Sequence, residues 1–502
     1  MKKMLTWVGL LLIAGVLSAC GTEKAAEKNE ELTVVASFYP MYDFTKNIVG
    51  EEGTVELLVP AGTDSHDFEP SARDINKIQE ADAFVYNDEN MEMWVSDVAD
   101  SLKQENVTMI KATKDLLLLP ASDEHEHDHG EEGHHHELDP HVWLAPSLAM
   151  KEVEAIRDQL SEVYPEHAAI FSKNAQSYLE KLAALDQQYT EALSQAKQKS
   201  FVTQHAAFSY LALEYGLNQV PISGVSAEEE PSPARLAELK HFVETNGIEY
   251  IYFEQNAKST VADTLADEAN IKTAILNPLE GLTEKQMKAG EDYLSIMENN
   301  LKELRKTTDT ENPNEKNLTP EKEKSVYNGY FKDEEVQKRP LSDWAGQWQS
   351  VYPYLQDGTF DQVMSYKAKK DPSKTVEEYK QYYETGYQTD VQEIEIKGST
   401  ITFVFEDGTE KSAEYQATGY EILKYSAGNR GVRFLFEAKE DTGAFKYIQF
   451  SDHGIHPAKS GHFHLYYGNH SQAELLKEMG HWPTYYPKKL SGKTIAQEML
   501  AH

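Results

Sequence analysis

Eighteen histidines stand among 502 residues that include one cysteine, and where the histidines crowd together they crowd with acids. From Ala121 to Trp143 the chain reads ASDEHEHDHGEEGHHHELDPHVW, with His125, His127, His129, His134, His135 and His136 set among carboxylates. Neutral imidazoles bind borderline metals such as Zn²⁺, and carboxylates attract the cation. Residues 121–137 therefore read as an auxiliary metal-collecting loop beside a structured site that contains His141. A solvated acidic loop that merely contains histidines is the plainer alternative. His125-Glu126-His127-Asp128-His129 also fits the H-E-x-x-H pattern of zinc proteases, but that pattern works only on a helix packed against a core. Gly130, Gly133 and the lack of apolar periodicity argue against such a helix.

Three further histidines lie where a strand should give way to a helix. They are His66 in Gly62-Thr63-Asp64-Ser65-His66-Asp67, His141 in Asp139-Pro140-His141-Val142-Trp143, and His205 in Thr203-Gln204-His205-Ala206-Ala207-Phe208. Ligands of open α/β sheets bind beyond the carboxyl ends of the strands, so three imidazoles on such loops could converge on one ion. Glu280, after Leu276-Asn277-Pro278, is the candidate for a fourth position; Glu254 and water are the competitors. Near the C-terminus His453 is followed by His462 and His464, and two residues apart on a strand share one face. Three histidines with an open position make a workable zinc site; a pair of surface histidines on an edge strand is the alternative. His456 is close by in sequence. His167, His241, His470, His481 and His502 carry no motif.

The elements that must hold these residues change character along the chain. Residues 32–38, 54–59, 83–86 and 107–110 read as strands alternating with helices, which predicts a parallel sheet. Residues 147–197 predict a long helix, broken or kinked near Tyr164-Pro165 or else divided into two packed helices. Strands return at 201–203, 219–222, 248–253 and 273–276, with helices at 233–245 (capped by Ser232) and 284–306. The expectation is two α/β lobes joined by a long linking helix. Residues 307–323 are polar, contain two prolines and read as a linker. Beyond them, β-rich runs at 391–396, 400–405, 412–418, 431–437 and 445–450 predict an antiparallel sheet closed or nearly closed into a barrel, with helices at 363–385 and 472–479.

Lys2, Lys3 and the apolar run from Met4 to Val16 read as a secretion signal too short to span a membrane. Leu17-Ser18-Ala19-Cys20-Gly21 resembles a bacterial lipobox, which implies cleavage after residue 19, a diacylglycerol on Cys20 and a tether over residues 20–31. With no second cysteine, any zinc must be held by His and carboxylate. A formal charge of −36 excludes nucleic acid as a natural partner and favours cations.

With these motifs, residues 32–306 resemble the zinc-receptor lipoproteins of ABC importers, the ZnuA-like family. The resemblance implies two lobes with one Zn²⁺ in the cleft between them, held by His66, His141 and His205, and Glu280 is placed at the family's variable fourth position. Three histidines favour Zn²⁺ over Mn²⁺. Residues 324–502 resemble the ZinT-like zinc-binding proteins through Leu341-Ser342-Asp343-Trp344-Ala345-Gly346-Gln347-Trp348, the stretch 451–467 and His481-Trp482-Pro483-Thr484-Tyr485-Tyr486-Pro487. That resemblance implies a lipocalin-like barrel with a second Zn²⁺ on His453, His462 and His464. The whole implies a monomeric lipoprotein on the outer face of a Gram-positive cell membrane. It would pass zinc to a permease and its ATPase, and would not be an enzyme. Two other classes remain open here: a surface adhesin, and a zinc-dependent hydrolase using the C-terminal histidines, although no general base is recognisable beside them.

Overall fold

The computed structural model describes residues 32–121, 138–224, 232–254, 266, 271–314, 325–326, 328–425 and 428–501. The expected signal peptide, Cys20, the tether and the six loop histidines (His125, His127, His129, His134, His135, His136) lie outside the described residues, as do residues 315–323 of the expected linker.

The first lobe is a parallel sheet of β1 (Leu32–Ala36), β2 (Gly53–Leu57), β3 (Ala83–Tyr86) and β4 (Thr108–Lys111) in the order β2-β1-β3-β4. The second repeats it with β5 (Ser200–Thr203), β6 (Asn218–Pro221), β7 (Tyr250–Phe253) and β8 (Lys272–Ile275) in the order β6-β5-β7-β8. Inner strands of a parallel sheet are covered on both faces, and Ala-Phe-Val-Tyr of β3 and Ser-Phe-Val-Thr of β5 are buried along their whole length. Each sheet reverses its winding direction at one point, between β1 and β3 and between β5 and β7.

The stretch 147–197 forms two helices, Pro146–Val163 and Ala168–Leu193, packed side by side. Pro165 disfavours the α region for the residue before it, and Tyr164 sits outside that region at φ −119°, ψ 67°. The 26-residue helix Ala168–Leu193, about 39 Å long at 1.5 Å per residue, is the linking element. It packs on helix Tyr39–Val49 of the first lobe and on helix Tyr293–Thr308 of the second. The helix expected over 284–306 is likewise two, Glu284–Ala289 and Tyr293–Thr308. Gly290, left-handed at φ 77°, ends the first, and an Asp292–Ser295 capping box starts the second. That second helix runs past the expected start of the linker, and Thr307 and Thr308 are fully buried.

The C-terminal domain is a closed antiparallel barrel of eight strands: β9 (Gly346–Ser350), β10 (Val391–Lys397), β11 (Thr400–Phe405), β12 (Glu410–Lys424), β13 (Arg430–Ala438), β14 (Tyr447–Ser451), β15 (Phe463–Gly468) and β16 (Thr484–Pro487). Pairing of β16 with β9 closes it. Trp344, Trp348, Phe434, Phe436, Phe450 and Phe463 fill its interior. Helices Asp361–Lys370, Val376–Tyr387 and Gly492–Ala501 pack outside the barrel, the first two where one helical region was expected. The expected helix at 472–479 is only the single turn Gln472–Leu475.

Candidate metal centre

Four side chains at the carboxyl ends of the two parallel sheets meet between the lobes. His66 stands on the loop after β2, and His141 opens the turn Val142–Leu144 ahead of helix Pro146–Val163. His205 lies two residues beyond β5 and Glu280 five beyond β8. Leu279, just before Glu280, is left-handed at φ 60°, a strained conformation for a leucine. Asn277 Oδ1 accepts its N–H at 2.7 Å, and Asn300 in turn grips both main-chain polar groups of Asn277 at 2.9 and 2.7 Å. The turn is also fixed across the lobes: Ser65 Oγ donates to the Glu280 carbonyl and Trp143 Nε1 to that of Pro278, each at 2.8 Å.

The His141 Nε2 atom is 3.1 Å from His66 Nε2 and 3.2 Å from Glu280 Oε1. Glu280 Oε1 is also 3.3 Å from His205 Nε2 and 3.6 Å from His66 Nε2. A tetrahedral Zn²⁺ with bonds of about 2.05 Å separates its ligand atoms by about 3.3 Å, so these edges have the length that such an ion needs. His141 and His205 are buried, while His66 keeps 12% of its side chain exposed. The outer nitrogens are fixed as well. Asp139 Oδ1 takes His141 Nδ1–H at 2.8 Å, and Glu254 holds His205 Nδ1. Each carboxylate keeps a proton on Nδ1, so that Nε2 is the atom that faces the centre and offers a lone pair once the ring is neutral. Glu254, the competitor for the fourth position, thus lies on the far side of His205. Burial opposes charge on all of these groups, but the mutual pairing outweighs it. Asp139 and Glu280 raise His141, Glu254 and Glu280 raise His205 well above the ordinary imidazole value, and His66 with the other two imidazoles lowers Glu280 well below the usual carboxylate range.

The barrel histidines form a looser group. Ring centroids of His453, His462 and His464 lie 5.9, 5.9 and 6.1 Å apart. Among the described residues only the cleft set brings its candidate ligand atoms within 4.8 Å of one another. His464 stands on β15, His462 just before it, and His453 in a left-handed turn at φ 64°. Asp452 braces that turn, accepting from Arg339 at 2.5 Å and from Trp344 Nε1 at 3.0 Å. Thr484 Oγ donates to the Trp482 carbonyl at 2.9 Å and so accepts from His464 Nδ1–H at 2.8 Å. The Nε2 lone pair of His464 is left free for a metal. His462 stacks on Tyr486 with the ring planes 9° apart. His456 and His470 are exposed. His167 pairs with Glu52, and His481 donates to the Gln388 carbonyl at 2.5 Å.

Residues 34–307 match the family model described as zinc-uptake complex component A, periplasmic. The chain belongs to the ZnuA family. After the ZnuA domain, residues 322–502 match the model of ZinT, described as periplasmic, lipocalin-like zinc recruitment. The zinc-binding lipoprotein AdcA of Streptococcus pneumoniae is 58% identical over 494 residues, 98% of each chain. The zinc-binding protein AdcA of Streptococcus pyogenes is 58% identical over 518 aligned positions, covering all of both. The solved Zn(II)-bound structure of pneumococcal AdcA superimposes with a TM-score of 0.85 and 56% identity, covering 94% of this chain and 100% of that one. A single superposition of that extent takes in the ZnuA domain and the barrel together.

The outer partners Asp139, Glu254 and Thr484 were not assigned these roles from the sequence. Asp139 had a local signal: it sits two residues before His141, the spacing at which an Asp side chain turns back on the chain, and its Oδ1 also accepts the His141 N–H at 3.0 Å.

Proposed function

We propose that this protein captures Zn²⁺ outside the cytoplasm and delivers it to the permease and ATPase of an ABC importer. His66, His141, His205 and Glu280 would hold the ion in the cleft, and His453, His462 and His464 a second ion on the barrel. The observation that carries this reading is the set of ligand-atom separations in the cleft, 3.1–3.6 Å, which suits a four-coordinate zinc ion. The naming of its AdcA relatives as zinc-binding proteins supports the same cargo. A lipid on Cys20 would keep the receptor at the membrane, where tethering raises the effective concentration for docking. The six loop histidines and the barrel would gather the ion when it is scarce. The protein works as a monomer and has no reaction to catalyse. Asp452, the carboxylate next to the barrel histidines in sequence, is tied to Arg339 and Trp344 and is not placed as a general base.

The test is zinc stoichiometry on the intact chain with the six loop histidines changed to Ala. Two tightly held ions are expected. One should be lost with His66→Ala plus His205→Ala, and the other with His453→Ala, His462→Ala and His464→Ala. Two ions that survive either set overturn the ligand assignment. Growth of cells under zinc chelation, restored by the parent chain but not by the cleft variant, tests delivery.

A further inference from the structure

The barrel does not hang free of the ZnuA domain. Leu117, Leu119 and Leu213 pack into an apolar cluster with Phe360, Met364 and Ile495 of the C-terminal domain. Polar groups complete the seam. Gln362 accepts the Leu117 N–H at 3.1 Å and donates to the Asp115 carbonyl at 2.7 Å, and Tyr366 donates to the Leu117 carbonyl at 3.1 Å. Gln497 holds both main-chain groups of Leu118, at 2.8 and 2.5 Å, and Lys369 pairs with Glu214 at 2.5 Å. Barrel-domain side chains thus satisfy the backbone of residues 115–118 as a neighbouring strand would.

Both gripped segments lead to the cleft. From residues 115–119 the path runs through the buried hydroxyl of Tyr210, which accepts the Leu119 N–H at 2.8 Å and donates to the Asp139 carbonyl at 2.7 Å. Asp139 N–H donates back to the Leu119 carbonyl at 2.8 Å, and the Asp139 carboxylate orients His141. The other segment is helix Ser209–Glu214, which carries Tyr210, Leu213 and Glu214 and begins four residues after His205. Its packing against helix Asp361–Lys370 lies on the seam.

We propose that the seam is an internal docking surface through which the barrel domain positions His141 and His205, with Tyr210 as the positioning residue, so that barrel docking sets how tightly the cleft keeps its ion. This rests on the reading of the cleft as a zinc site. Side chains that orient metal ligands from outside typically change affinity about 10–100-fold, and a contact that acts through them belongs at the low end of that range.

The experiment uses the intact chain with the loop histidines and His462 and His464 changed to Ala, so that one zinc ion is read. Zinc release into excess chelator is followed for this parent, for Tyr210→Phe, for Gln362→Ala with Gln497→Ala, and for all three together. Tyr210→Phe and the seam pair should each speed release about tenfold. The triple variant should be little faster than either, because all three act along one path. The His141 Nδ1 proton signal should shift in both variants while the far-ultraviolet spectrum stays that of the parent, a readout that general loosening of the fold would not produce. Unchanged release from the seam pair, or fully additive effects in the triple variant, overturns the proposal. A parent chain that holds one ion and loses it with His141→Ala secures the cleft reading independently; a parent that holds none overturns both.

Discussion

The cleft and the barrel set similar imidazoles in opposite electrostatic surroundings. In the cleft a carboxylate, Glu280, stands among three Nε2 atoms, and Asp139 and Glu254 back two of the rings. On the barrel the outer partner of His464 is the neutral Thr484, and the charges that act on that ring, those of His453 and the Arg433 guanidinium, are positive. Three carboxylates would more than neutralise a divalent ion in the cleft, whereas no carboxylate orients His464. The difference suits a holder and a collector. On the proposed reading, the cleft would retain the ion and the barrel would take it up and let it go.

The largest effect should come from removing the carboxylate that the barrel lacks. Glu280→Ala leaves three imidazoles in the cleft, the donor set proposed for the barrel, and is expected to weaken cleft zinc by more than about a hundredfold. Titration with a competing chelator, the barrel triad having been replaced, reads this directly. A cleft that keeps its affinity without Glu280 would dissolve the contrast. A smaller step removes only the charge behind a ring: Asp139→Asn should weaken cleft zinc about tenfold, and Thr484→Val, which removes a neutral partner, should weaken barrel zinc less. Equal losses at the two sites would show that hydrogen bonding to the ring matters and charge does not.

Much of this was legible because chemistry and pattern coincide. His66 and His205 each come after a β-rich run, His141 comes just before an apolar helix start, and Phe-Val lies at the centre of both β3 and β5. What escaped depends on contacts distant in sequence. Glu254 and Glu280 both follow strands of the second lobe, and only the fold shows that one faces the centre and the other the back of His205. The strands β9 (Gly-Gln-Trp-Gln-Ser) and β16 (Thr-Tyr-Tyr-Pro) were not marked as strands, being short, with a glycine or a proline at one end, and their identity comes from pairing with each other. Pro165 and Gly290 each made two helices of one expected helix, through backbone geometry that periodicity does not register.

Acid should separate the two sites, with a slope for an effect. Burial, His453 and Arg433 push His464 down to about 3, so that imidazole is already neutral throughout the working range. His141 and His205 are raised and must shed protons to accept the ion. Zinc affinity of the cleft should therefore fall more steeply than that of the barrel as pH drops from 7.5 to 5.5. Measuring each site alone, with the other replaced, checks the order; equal slopes would remove the electrostatic basis of the comparison.

The smallest effect concerns stability. Asp43, Asp88, Glu92, Asp139, Glu152 and Glu280 are buried in the ZnuA domain, while the buried carboxyl of Asp452 in the barrel domain is paired with Arg339. Glu152, on helix Pro146–Val163, has neither oxygen partnered. Burial raises it well above the usual carboxylate value and nearby Glu92 adds to the shift, while Glu92 is itself pushed by burial up to about 7. A carboxyl raised in the folded state binds more protons there than in the unfolded chain, so the stability it leaves falls as pH rises from its unfolded value, about 4.5, through the raised one. Glu152→Gln keeps the shape of the protonated acid and removes that dependence. In the metal-free protein the ZnuA-domain transition should rise by a few degrees at pH 7.5 and shift little at pH 4.5, with the barrel transition unmoved at both. Calorimetry resolves the two transitions, and a ZnuA domain that gains nothing at pH 7.5 would mean that Glu152 is ionised in place, with a compensating partner.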